Sequence, residues 1–185
     1  MVTLGRRSRV GLGIALAVVI ALACATPVDR ASPTPRGTAT GGPGPSGPTE
    51  SATVVRIVDG DTIVVDRGRG AEKVRYIGMD TPETVKPDSP VEWMGPEASA
   101  ANAALVEGRR VTLEKDVSET DRFGRLLRDV WIEKPTGWLM INLELVRTGF
   151  AAVSTYPPDV KYVDLLLAAQ RQAREAGVGL WAARP

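Results

Sequence analysis

The sequence contains no histidine. That absence removes Ser-His-Asp triads, Cys-His pairs, histidine-ligated zinc and histidine-metal nuclease centres, so acid–base work must fall to carboxylates, lysine, tyrosine or arginine. Cysteine is nearly absent too: Cys24 is the only one, which rules out an intramolecular disulfide and, with no base beside it, makes a poor nucleophile. Neither sign of charge is in excess, the formal net charge being +1, so bulk electrostatics does not announce a polyanion binder and any such case must rest on where charges sit. Nor is there an apolar run of the ~20 residues that a membrane-spanning helix requires. What remains, 43% hydrophobic and 24% charged residues, is the composition of a globular chain with one core as the default.

The unusual parts are local. Arg6, Arg7 and Arg9 precede an apolar run over residues 10–23, the layout of a secretory signal. The run ends Ile20-Ala21-Leu22-Ala23-Cys24, which resembles a bacterial lipobox, with Ala21 where leucine is commonest; cleavage before Cys24 would free it for lipid attachment. An ordinary signal peptide cleaved nearby is the alternative. Losing residues 1–23 removes three of the 23 basic residues and leaves the rest outnumbered by 22 acidic ones. Residues 24–52, dominated by Pro, Gly, Ser and Thr, cannot bury enough surface to fold and read as a disordered tether. Residues 53–182 form the remaining domain.

Within that domain, residues 53–58 (TVVRIV) and 62–66 (TIVVD) are β-branched runs joined by Asp59-Gly60-Asp61, a hairpin turn signal. Residues 73–78 (KVRYIG) make a third strand after a glycine-containing turn. Gly95-Pro96-Glu97 opens a helix with proline in its first turn, and Gly108 closes it. Residues 111–116 and 126–132 form a further strand pair around a turn containing Arg122-Phe123-Gly124. A short helix is expected over about 140–148, and a longer one from near Asp159 to Gly177 with Val163, Leu166, Leu167, Gln170 and Ala173 on its packed face. Five strands with a helix between the third and fourth is the order of an OB-fold: an α+β chain, a five-stranded barrel with about three appended helices.

Charged residues concentrate where the pattern places turns and strand ends: residues 58–62 (VDGDT), 75–84 (RYIGMDTPET) and 120–125 (TDRFGR). A meander can bring Asp61 and Asp80 to one end of the sheet. Two carboxylates with no histidine or thiolate nearby make a hard, oxygen-only site, suited to Ca²⁺ or Mg²⁺ rather than zinc; the same Asp-Gly-Asp is also an ordinary hairpin turn. Arg75 interrupts an apolar strand, where a lone cation needs an anionic partner, met equally by an internal ion pair or a phosphate. Phosphodiester hydrolysis needs a cation at the phosphate, a base for water, and donors that follow charge into the transition state.

The segments IVDGDT, VRYIGMDTPET, WMGPEASA, SETDRFGRLLRDVWI, MINLELVRTGFA and AQRQAREAGVGLW, in this order and spacing, resemble the staphylococcal-type thermonuclease family over roughly residues 53–181. The resemblance implies an OB-fold nuclease with one Ca²⁺, held by Asp61, Asp80 and the main-chain carbonyl of Thr81, with Asp59 behind them. It implies that Arg75 and Arg125 contact the scissile phosphate and that Glu83 positions or deprotonates the attacking water. It further implies action on DNA and RNA, with 3′-phosphate ends as products. Where the family often has Lys-Tyr, this chain has Arg122-Phe123, and where the family often has two tyrosines it offers only Tyr156; Arg122 and Tyr156 are the candidate nucleotide contacts. The expectation is therefore an exported nuclease, extracellular or on the outer face of the membrane through a lipidated Cys24, acting as a monomer. An OB-fold surface lipoprotein that binds nucleic acid without cutting it is the alternative.

Overall fold

The computed structural model describes residues 44–84 and 90–183. The signal segment, Cys24 and most of the expected tether lie outside them. In chain order the elements are β1 Thr49–Ile57, β2 Thr62–Asp66, β3 Ala71–Tyr76, β4 Met79–Asp80, α1 Gly95–Val106, β5 Arg110–Glu114, β6 Leu126–Lys134, β7 Gly137–Met140, α2 Ile141–Arg147, β8 Ala152–Val153, α3 Val163–Ala176 and a 3₁₀ turn at Gly179–Trp181.

Strand neighbours run β3-β2-β1-β5-β6, and β3 then pairs with β6, which closes a five-stranded ring. Every other pairing within the ring is antiparallel, while β3–β6 is parallel. This is the OB-fold connectivity, with α1 between the third and fourth barrel strands. β2 lines the interior so fully that Thr62, Ile63, Val64 and Val65 are all buried. Between β1 and β2 the register passes from Val54↔Val65 to Arg56↔Val64, so Val55 is an extra residue; it points outward at 52% exposure, and the bulge adds the bend that closure needs. The core gathers Val54, Ile63, Val74, Leu113 and Val130 from the barrel with Ile141, Leu145 and Leu166 from the helices.

Several boundaries differ from the sequence reading for identifiable reasons. β1 begins at Thr49 rather than Thr53, because β5 offers a partner through Thr49↔Glu114 to Ala52↔Val111. Ahead of it, the backbone N–H groups of Ser46 and Gly47 donate to Glu114 Oε1 at 2.9 and 2.6 Å. The last part of the expected tether is thus ordered by a carboxylate far along the chain. β7, unforeseen, pairs with β6 as a hairpin beyond the barrel. α3 starts at Val163, since Asp159 accepts from the N–H groups of Val117 and Ser118 at 3.0 and 2.8 Å instead of capping a helix. On α3 the buried residues are Leu166, Ala169, Gln170 and Ala173. Leu167, placed on the packed face by the sequence, is 36% exposed; it follows Leu166 by one residue, about 100° round the axis.

Candidate active site

The turn between β1 and β2 is built by its own hydrogen bonds. Val58 N and Asp59 N donate to the Thr62 carbonyl at 2.9 and 3.2 Å, and Asp61 N donates to Asp59 Oδ1 at 3.1 Å. Gly60 is required by a neighbour: a Cβ there would lie 2.7 Å from the Thr81 side chain. The close approach lets Thr81 donate its N–H and hydroxyl to Asp61 Oδ2 at 3.0 and 3.2 Å. Asp61 is consequently 3% exposed, and its other oxygen takes the Thr62 hydroxyl at 2.9 Å.

Register then delivers the arginine. Thr62 pairs with Arg75 across β2–β3, which sets Arg75 beside Asp61, and its guanidinium makes an ion pair with Asp61 Oδ1. The chain reverses at Gly78, φ +76°, and β4 returns Asp80 to the same guanidinium at 2.5 Å, with the Met79 carbonyl at 3.3 Å. One cation thus joins the two carboxylates expected to share a site.

Arg125 comes from the turn after residue 120. Asp121 accepts the backbone N–H groups of Phe123 and Arg125 at 2.9 and 3.0 Å and Arg125 Nε at 2.7 Å. Burial raises the Asp121 carboxyl, but these hydrogen bonds outweigh it and hold the group below its usual range. So oriented, Arg125 reaches the Thr62 hydroxyl at 3.4 Å, one residue from Asp61.

Glu83 lies on the segment after β4. Its N–H donates to Glu92 at 3.1 Å, its carbonyl accepts Glu92 N at 2.9 Å, and its carboxylate accepts Thr84 N at 3.1 Å. Asp59 stands behind the turn, its carboxyl raised by burial and by the Glu83 charge, and drawn back by Thr62 and Arg75. Asp61 and Asp80 share Arg75, and the charges of both Arg75 and Glu83 act on Asp59. Among the described residues no three acidic, histidine or cysteine side chains converge as a metal cluster. A cation held here would rest on the Asp61 and Asp80 carboxylates, the Thr81 carbonyl and water, a hard oxygen set that fits Ca²⁺ with retained water.

Beside this centre a cleft of about 460 Å³ is lined by Arg75, Arg125, Arg122, Phe123, Tyr156 and Asp159 among others. Both candidate nucleotide contacts, Arg122 and Tyr156, thus fall on one cleft. Tyr156 is 73% and Phe123 68% exposed, and the Arg122 and Arg125 guanidiniums lie 4.7 and 5.4 Å from the Phe123 ring centre, leaving flat surfaces beside fixed cations. Cys24 lies outside the described residues.

Sequence reasoning missed the residues that brace the site. Buried Asn102, on α1, accepts the Tyr76 hydroxyl at 2.9 Å and donates to the Asp59 carbonyl at 3.1 Å. Nothing in the sequence distinguishes it from any polar residue of that helix. Thr62 and Asp121 sit inside the charged segments and could have been named from them.

Residues 73–183 match the family model described as staphylococcal nuclease homologue. The chain is 42% identical to the thermonuclease of Staphylococcus intermedius over 132 residues, covering 71% of this chain and 76% of that protein. It is 41% identical to the thermonuclease of Staphylococcus hyicus over 128 residues, 69% and 73% of the two chains. An endonuclease of Bacillus subtilis is 35% identical over 133 residues, 71% of this chain and 61% of the relative.

Proposed function

The chain belongs to the staphylococcal nuclease family and is a nuclease, and from that premise we propose that it is an exported, calcium-dependent enzyme that cleaves DNA and RNA to leave 3′-phosphate ends. The observation that carries the reading is the meeting of Asp61 and Asp80 on Arg75, with Arg125 reaching Thr62 beside them.

Asp61, Asp80 and the Thr81 carbonyl would hold the metal. When bound there, Ca²⁺ would supply charge neutralisation at the phosphate and lower the cost of ionising water. Arg75 and Arg125 approach the phosphate from one side each. A planar guanidinium donates to two oxygens at once, so both can follow the charge that accumulates on phosphorus oxygens as water adds. Glu83 orients that water and takes its proton. The hydrogen-bonded pairing of its backbone with Glu92 fixes where the carboxylate stands. The cleft of Arg122, Phe123 and Tyr156 receives the base and sugar next to the scissile bond. Export and attachment rest on the signal-like first residues and the lipobox-like run to Cys24, and membrane fractionation of the unaltered chain tests them.

Cleavage of single-stranded DNA should stop in excess chelator and return with Ca²⁺ but not with Zn²⁺, and the 3′ ends should lose phosphate to a phosphatase. Full activity in chelator would overturn the metal assignment.

A further inference from the structure

Helix α1 touches the site at two points on one face. Its buried residues are Gly95, Ala98, Asn102 and Val106, three or four apart and so in one stripe. At the start of the stripe Gly95 lies flat against the segment that carries Glu83: a Cβ there would stand 2.7 Å from Thr84 Cγ2, 3.1 Å from the Glu83 carbonyl oxygen and 3.3 Å from that of Pro82. The Gly95 N–H also donates at 3.0 Å to the carbonyl of Glu92, whose own N–H donates to the Glu83 carbonyl. Seven residues on, about 10 Å along the axis, Asn102 meets the Asp59–Asp61 turn. Its Nδ2 donates to the Asp59 carbonyl at 3.1 Å, and its Oδ1 accepts the Tyr76 hydroxyl at 2.9 Å. Tyr76 completes the circuit, because its backbone N–H donates to the Asp61 carbonyl at 2.9 Å.

Asn102 is fully buried, so its amide needs partners whatever its role, and a core residue satisfied by its neighbours is the plain account of it. The identity of one partner goes beyond that account. The Asp59 carbonyl opens the peptide into Gly60, which is packed so closely on the Thr81 side chain that it has no room for a Cβ, and the Asp59 carboxylate accepts the N–H of Asp61. Rotation of the Asp59–Gly60 peptide would therefore draw Asp61 away from the Thr81 and Thr62 groups that hold its carboxylate. A carboxylate fixed before a cation arrives loses less freedom on binding it. We propose that Asn102 is a positioning residue for the metal, which keeps the Asp61 carboxylate in place through the Asp59 carbonyl and so sets the affinity of the centre for Ca²⁺. The proposal rests on the calcium reading of Asp61 and Asp80 and extends it to a helix residue outside the ligand set.

The test is calcium affinity, measured by titration calorimetry on the folded protein, with kcat at saturating Ca²⁺ beside it. Asn102→Ala removes the donor and keeps a strong helix former. Asn102→Leu removes it and fills the same space, so one variant remains measurable if the other does not fold. Each should raise the Kd for Ca²⁺ about tenfold, the low end of what partners behind metal ligands contribute, with kcat on single-stranded DNA restored once the metal is saturating. Tyr76→Phe is the control for stability alone. It deletes the hydroxyl that Asn102 accepts and leaves the bond to Asp59, so it should lower the thermal midpoint without changing the Kd. An unchanged Kd in the Asn102 variants would overturn the proposal. So would an equal rise in Tyr76→Phe, which would make the Tyr76–Asn102 pair a matter of packing. An unaltered protein that binds no Ca²⁺ would instead overturn the metal assignment, and the positioning role with it.

Discussion

At the scale of single residues, the site depends on which groups can change partners. Arg75 spans Asp61 and Asp80, whereas Arg125 is oriented by Asp121 and borders the open cleft. Both carry a guanidinium where a charge alone would suffice for attraction. Lysine keeps the charge and loses the planar pair of donors, so Arg125→Lys and Arg75→Lys should each lower kcat by about 10²-fold or more, with KM changing far less. At Arg75 part of the loss will come from freeing Asp61, which Thr81 and Thr62 still hold. Near-normal kcat in both variants would show that the arginines only attract the strand.

At the scale of elements, the junction of β6 with α2 contains a charge that the fold tolerates rather than uses. Asp129 on β6 is 1% exposed. Its Oδ1 accepts Asn142 Nδ2 at 3.2 Å, while Oδ2 is buried with no hydrogen-bond partner among the described residues. Burial, together with the charges of Glu114, Asp116 and Asp159, raises its carboxyl well above the usual 3.8, against the pull of Lys161. The folded chain therefore holds this proton to higher pH than the unfolded chain does. Stability from this group is fully present below about pH 3.8 and is lost as pH climbs toward the raised value. Asp129→Asn removes the titration, and should stabilise the protein by about 1–3 kcal/mol at neutral pH, the range for a poorly satisfied buried group. The advantage should vanish in acid. Urea midpoints for the two proteins at pH 3.5 and pH 7 check this; a gap that is constant with pH would contradict it.

At the scale of the molecule, the domain extends further toward the N-terminus than its composition suggests. Glu114, fully buried, gathers the N–H groups of Ser46 and Gly47, the Trp131 indole, Lys161 and the Tyr162 hydroxyl, so it ties the first described residues to β6 and to the approach to α3. Glu50 similarly pairs with Arg128, which is only 3% exposed. A chain beginning at Thr53 would lose the contacts of Ser46, Gly47 and Glu50 and four of the five residue pairs of the β1–β5 ladder. It should be less stable than one beginning at Gly44 by about 3 kcal/mol or more, since Glu114 loses two backbone N–H donors and a hydrogen bond to a charged group contributes about 1.5–3 kcal/mol. Equal urea midpoints for the two chains would show that residues 44–52 add nothing.

The sequence by itself determined the barrel, because alternating β-branched runs, glycine turns and helix stops are local signals whose periods belong to one kind of element each. It also drew attention to Asp61, Arg75, Asp80, Glu83 and Arg125, through the clustering of charge in three short segments and the family resemblance that those segments carry. Tertiary structure alone decided the rest. The ordering of residues 44–52 comes from Glu114, about 70 residues along the chain. Asn102 braces the Asp59 turn only because α1 packs across it. The partnering of Trp93 with Trp181 around one hollow depends on the whole chain folding back to bring them together. Contacts of that kind leave no trace in neighbouring residues, because their energy depends on distant partners that no local period encodes.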